Sequence, residues 1–437
     1  MSKKLIWRRI LMLLTATFVM LFAGIMYASA IIQTPFMLVE NGVFVNASQL
    51  GFNYTLTIIF FCLGCLITGS IVKMTSAAIR FALGSMMLFA SYFSASYQII
   101  TLLHSGRYFL FYMTSGFLGG LGIGIVYTTV LDIINQWFPD RTGFASGVIM
   151  AGFGIALLPI GYAVEALGNA EAVGWEKTYI FIGISLAVVF GAAAFVLKPP
   201  PPGTKLPETK LPGVKLPAPK NTQKTAPEPV LDDDNHQKDE VINLSAFQML
   251  KRPSFIFIFI YLVILIASGS TAIGFATDIM QDLGALPGLT AFAAGILALG
   301  SGAGRLILGW LFDKTGIKQT VFISSATAIL APVTLVMALS SGYVVIGVIG
   351  MSLCGFSYGF VPVSCNVFAT EFYGSKDTAL KFGLLSLVLI PAPFIVMLAG
   401  YAVNSFGGLM PVFIGLSALT AIGLFINLAI RSHSRKQ

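Results

Sequence analysis

The chain has 437 residues, 56% of them hydrophobic and only 10% charged, with a formal net charge of +8 and a mean hydropathy of +0.87. A soluble globular chain carries about 25% charged residues, so these proportions exclude an ordinary cytosolic enzyme and leave lipid as the solvent for the surplus apolar surface. The four Cys lie inside apolar runs and the three His outside them, so no disulfide framework, zinc set or histidine triad can be assembled, and no metal, cofactor or catalytic residue is expected.

Twelve apolar runs are long enough to cross a bilayer core as helices. The first six lie at about 10–32, 49–72, 79–100, 107–134, 143–168 and 178–197. The first is not read as a cleaved signal: its apolar core is too long, and the chain continues through Gln33-Thr34-Pro35-Phe36 into a loop without a small-residue cleavage site. In the second, the spacing of Cys62 and Cys65 would set both thiols on one helical face. With no further Cys or His cluster nearby they read as small packing residues.

Composition changes abruptly after 197. Residues 198–243 hold Pro199 to Pro202, a repeat at Lys205-Leu206-Pro207, Lys210-Leu211-Pro212 and Lys215-Leu216-Pro217, and the acidic run Asp232 to Asp234. So little apolar content cannot repay ordering entropy, and the segment reads as an extended linker, with a Pro-motif ligand for a partner domain as the alternative. Ser245 is placed to cap a short amphipathic helix through Met249 and Leu250, before Pro253 opens the seventh span. The remaining spans fall at about 254–280, 289–312, 318–339, 343–371, 377–403 and 409–431. The expected organisation is an all-α membrane protein of two six-helix bundles, 1–197 and 254–437, joined by a cytoplasmic segment at 198–253.

Cations set the expected topology. Of the 26 Lys and Arg, Arg107 and Lys177 fall on one side and Arg305 inside a span, leaving 23 on the other side. That side is read as the cytoplasm, with both termini in it. The bias accounts for the basic charge without a nucleic-acid partner, because the cations are scattered through short loops.

The loop after the eighth span reads Gly309-Trp310-Leu311-Phe312-Asp313-Lys314-Thr315-Gly316-Ile317-Lys318. It resembles the cytoplasmic loop motif of the major facilitator superfamily, in which Gly permits close helix approach and the Asp meets a neighbouring helix end. Gly309, Asp313, Lys314 and Gly316 are the residues that carry the likeness. The corresponding loop after the second span keeps Gly69 and Arg80 but has Lys73 where the acid belongs. Recurrence at the same point of both halves is the mark of a six-plus-six carrier.

A second likeness runs from Gly120-x-Gly122-x-Gly124 through Tyr127, Asn135-Gln136-Trp137-Phe138-Pro139-Asp140-Arg141-Thr142-Gly143-Phe144-Ala145-Ser146-Gly147 and Gly152-Phe153-Gly154 to Pro159. This resembles the signature of the oxalate:formate antiporter family and its monocarboxylate-transporter relatives, with Thr142 replacing a basic residue. The likeness extends to Gly24 to Tyr27, Met249 to Pro253 and Tyr358 to Pro362. The glycine string is not a dinucleotide fingerprint, since no strand can flank it.

Arg305 is the one charge deep inside a span, eight residues before Asp313 and so about 12 Å of helix from it. An intramembrane Arg costs roughly 2.5–3.5 kcal/mol on insertion scales. Asp132, Glu165, Asp278 and Glu371 all lie near span ends, so the expectation is that Arg305 faces the cavity and binds an anionic substrate through its planar fork. Gly300, Gly302 and Gly304 would leave room for the ligand. In the resembled family an Arg here binds the substrate carboxylate, and Tyr27, Tyr127 and Tyr358 match its aromatic site positions, with plain helix packing as the alternative for each. A second family cation falls on Leu389, a Trp on Cys354, a Tyr on Phe153 and another Tyr on Ile32. The monocarboxylate branch often carries an acid one turn before the Arg, where this chain has Ser301. One cation in a more apolar pocket suits a monocarboxylate such as lactate, acetate or formate better than oxalate, moved by proton symport or anion exchange across a bacterial inner membrane. The competing expectations are a carrier of a neutral or cationic solute, such as a drug or sugar, and a non-transporting membrane sensor.

Overall fold

The computed structural model describes residues 3–33, 47–101, 108–207 and 243–434. Most of the expected linker, with two of its three Lys-Leu-Pro copies, lies outside them. The described residues are helical throughout their ordered elements and contain no strand.

The spanning helices follow in chain order: α1 Lys3–Ala28, α2 Ser48–Ile71, α3 Ala77–Tyr97, α4 Phe109–Trp137, α5 Thr142–Gly168, α6 Gly174–Val196, α7 Pro253–Gly274, then a 49-residue run Ala293–Ser341, α10 Val344–Phe372, α11 Thr378–Phe406 and α12 Leu409–Asn427. Eleven helices are thus long and apolar enough to cross a membrane where twelve are expected. The difference lies in the long run, where Gly316 adopts φ 78° and ψ 177° and breaks it into α8 (293–315) and α9 (317–341). A left-handed φ costs glycine nothing sterically, so the loop motif ends in a two-span corner with no intervening coil.

Other joints have local causes. α1 tightens to a 3-10 turn over Gly24–Ala28, and α11 does the same over Leu387–Leu389 ahead of Pro391. Ser245 accepts from the Gln248 amide while Gln248 answers the Ser245 N–H, a complete capping box on Ala246–Leu250, and Pro253 stands in the first turn of α7. On the other side of the linker, Trp137 donates through Nε1 to the Lys198 carbonyl at 2.8 Å, holding the exit of α6 under α4.

The two bundles meet along α2 with α11 and α5 with α8. Contact between α2 and α11 is dense over 378–386, thinner over 387–389 and sparse beyond 391. Contact between α5 and the 293–341 run is likewise dense up to Ile155, thin over Leu157–Gly161 and minor beyond. The bundles therefore converge on the side that carries the termini and diverge towards the opposite side. α4 and α10 also touch on the converging side, where Asn135 and Asn366 exchange amide hydrogen bonds of 2.8 and 3.0 Å.

Candidate functional site

Arg305 is 1% exposed. Its Nη1 donates to the Met150 carbonyl of α5 at 2.6 Å, and its Nη2 donates to the Tyr27 hydroxyl of α1 at 3.2 Å. Its Cζ stands 5.7 Å from the centre of the Tyr27 ring. No carboxylate pairs with it among the described residues, and its Nε is buried with no hydrogen-bond partner. The guanidinium thus reaches from one bundle to the other and keeps donor capacity unspent.

Aromatic side chains surround it. Tyr27 meets Phe153 edge-on at 5.2 Å, Phe153 meets Tyr127 edge-on at 5.0 Å, and Tyr127 stacks on Phe382 of α11 at 5.8 Å. Tyr358 backs onto α7 at Gly269, and its hydroxyl adjoins that of Tyr27. Ser301, one turn before Arg305, has a buried Oγ without a partner. The structure therefore brings together Arg305, Tyr27, Phe153, Tyr127, Tyr358 and Ser301. Cys354 faces Ser268 of α7 with 3.8 Å between Sγ and Oγ, and Leu389 sits half-buried in the 3-10 turn of α11 that packs on α2 and α7. Ile32 is buried, and its carbonyl accepts from the Tyr179 hydroxyl.

One expectation is corrected. Gly300 and Gly304 do not open space for a ligand, because their bare faces lie against the Ser352 and Phe356 carbonyls of α10. Gly302 faces Ile155, whose Cγ2 would be 2.7 Å from an added Cβ. Three further participants carried no sequence signal of their own role: the Met150 carbonyl, Gly154 beside the guanidinium, and Tyr54 of α2, half-buried and close to Tyr27 and Tyr358.

The loop motif residues close the seam between bundles. Asp313 accepts from the Gly143 and Phe144 amides at 2.9 and 2.7 Å, satisfying two donors at the start of α5. Gly309 lets α8 approach α5 at Gly143. Lys314 instead lies over the Trp310 ring at 4.8 Å, on its own helix. At the equivalent corner Lys73 donates to Asp377, the residue before α11, at 2.5 Å. That ammonium holds the Asp377 carboxyl below the usual carboxylate range. The two corners have opposite polarity: a loop acid meets a helix whose cap residue is Arg141, and a loop base meets a helix whose cap residue is Asp377.

An all-helical integral membrane protein of paired bundles, meeting around the buried Arg305, is the class these features define. The chain belongs to the Major Facilitator Superfamily, whose sequence profile matches residues 11–389. It is 25% identical over 287 residues to an uncharacterized MFS-type transporter, YhjX, of Escherichia coli, covering 65% of this chain and 63% of that protein. It is 26% identical over 278 residues to the oxalate:formate antiporter of Oxalobacter formigenes, covering 61% of this chain and 59% of that one. The match thus spans about six tenths of each relative's length. The fold is similar to that of the fucose:proton symporter FucP of E. coli, with a TM-score of 0.65 at 12% identity over 96% of this chain and 98% of that one. These relatives are transporters rather than enzymes.

Proposed function

We propose that this chain is an alternating-access carrier of a small, singly charged carboxylate, working by proton symport or anion exchange. The observation that carries the proposal is Arg305, buried between the bundles, without a carboxylate partner among the described residues and with Nε unsatisfied. A substrate carboxylate would supply the missing acceptor, and the rings of Tyr27, Tyr127, Phe153 and Tyr358 would give an apolar wall for a short carbon chain. With Leu389 where the resembled family has a second cation, a second substrate charge would lack a partner. Residues 1–197 and 254–437 act in this reading as the moving halves, joined through 198–253. The termini and the cation-rich loops face the cytoplasm of a bacterial-type cell, so the seam closed by Asp313 and Lys73 is the inner gate and the diverging side faces outward. Substrate taking up the Nε edge of a guanidinium already shared between Met150 of α5 and Tyr27 of α1 would couple occupancy to rearrangement of the bundles.

The test is a thermal-shift screen of purified protein against formate, acetate, lactate and oxalate, repeated with Arg305→Gln. Monocarboxylates should stabilise the wild type most. The variant should lose about 100-fold or more in affinity, since two charge-assisted hydrogen bonds disappear. Undiminished monocarboxylate binding by Arg305→Gln would exclude Arg305 as the substrate site, and a wild type that binds none of the four acids would favour a neutral or cationic solute.

A further inference from the structure

We infer that Gly154 is a positioning residue for the carboxylate site: it seats the guanidinium of Arg305 against α5, so that the Nε edge is the one left for the ligand. The inference rests on the carboxylate reading above and adds to it a residue that sets the orientation of the arginine.

Gly154 follows Met150 by one helical turn, and both lie in the continuous helix Thr142–Ile155. A Cβ added at Gly154 would overlap Nη1, stand 2.6 Å from Cζ and 3.2 Å from Nη2. The guanidinium therefore occupies the volume that any side chain at 154 would fill, and from there Nη1 reaches the Met150 carbonyl at 2.6 Å. A main-chain carbonyl has two lone pairs, so it can serve both its own helix and the arginine. With Nη1 held on α5 and Nη2 on Tyr27, the buried donor without a partner is Nε. A carboxylate approaching that edge meets Nε–H and the remaining proton of Nη2, a bidentate pair.

The atoms that would collide at Gly154 belong to the end of a flexible side chain, so a methyl group there displaces the guanidinium and leaves helix packing intact. The neighbouring glycine is different. A Cβ at Gly152 would lie 2.8 Å from the Thr17 carbonyl of α1, so Gly152→Ala strains a helix–helix contact that does not involve Arg305.

The experiment measures acetate and L-lactate affinity, and the melting temperature without ligand, for purified wild type, Gly154→Ala, Gly152→Ala, Arg305→Lys, Arg305→Gln and the double variant Gly154→Ala/Arg305→Lys. Gly154→Ala should weaken both acids by about tenfold or more, the consequence of one charge-assisted hydrogen bond lost and the other misaligned, and its ligand-free melting temperature should match the wild type. Uptake into liposomes should show the change in KM rather than in maximal rate. In the Arg305→Lys background, where no Nη1 exists, the added alanine should cost nothing further; where Arg305→Lys binds too weakly to measure, the single variant decides. Wild-type affinity in Gly154→Ala would overturn the inference. So would a loss accompanied by the same drop in ligand-free melting temperature as Gly152→Ala. If Arg305→Gln binds like the wild type, or the wild type binds neither acid, the carboxylate reading itself fails; if Arg305→Gln loses binding and Gly154→Ala does not, only the seating fails.

Discussion

Arg305 has two fixed contacts, one to a carbonyl and one to a phenol, and they differ in what mutation can test. Tyr27→Phe keeps the ring 5.7 Å from the guanidinium carbon and removes only the hydroxyl that Nη2 donates to. Its expected cost is about 3- to 13-fold in substrate affinity, the net worth of an ordinary hydrogen bond, because the guanidinium keeps its Met150 contact, read from KM in liposome uptake. Arg305 itself was legible in the sequence, because a lone charge in an apolar run has to be solvated by something. Met150 was not, since it acts through its main chain and any residue would present the same carbonyl. The glycines were half legible: the sequence shows where a side chain is missing but not which neighbour uses the space. Gly300 and Gly304 serve α10, while Gly154 serves the guanidinium.

At the scale of elements, the spans emerged from hydropathy alone, since crossing lipid as a helix needs only length and apolar content. The corner between α8 and α9 was less legible, because whether a Gly bends or extends a helix depends on φ, and at Gly316 it turns the chain without a loop. The reversed polarity of the two corners was half legible: Lys73 stands where the motif acid belongs, but its partner Asp377 did not emerge, as the two lie 304 positions apart. Lys73→Asp should place two acids together and loosen the α2–α11 seam, and Lys73→Asp combined with Asp377→Lys should restore it. Cys62, buried at that seam with its Sγ 3.2 Å from the Ser386 carbonyl, is a native reporter. With the other cysteines replaced by serine, its maleimide labelling should rise about two- to fivefold in the single variant, the scale of one exposed ion pair, and return to the wild-type rate in the double. Since Lys73 depresses the Asp377 carboxyl, the contribution of the pair is complete above the ordinary Asp range and is lost as pH falls through the depressed value. Spin labels at Ser70 and Ser375 should separate in acid in the wild type, and Lys73→Gln should lack that step.

For the molecule as a whole, convergence on one side and divergence on the other describe one end of a transport cycle. Saturating monocarboxylate should lengthen a fraction of the Ser70–Ser375 distances measured by pulsed electron resonance, with no such change in Arg305→Gln. An unchanged distribution in the wild type would mean that ligand does not move this seam. One further contact joins the two halves at matching positions. Asn135 and Asn366 are 231 positions apart, as are Tyr127 and Tyr358, so α4 and α10 carry a tyrosine and an asparagine in the same register. A residue that meets its own counterpart across a two-fold axis has to be complementary to itself. Two lysines or two aspartates would repel there, whereas a carboxamide both donates and accepts and can pair with its own copy. The asparagine clasp is thus a contact that stays complementary whichever half supplies which residue.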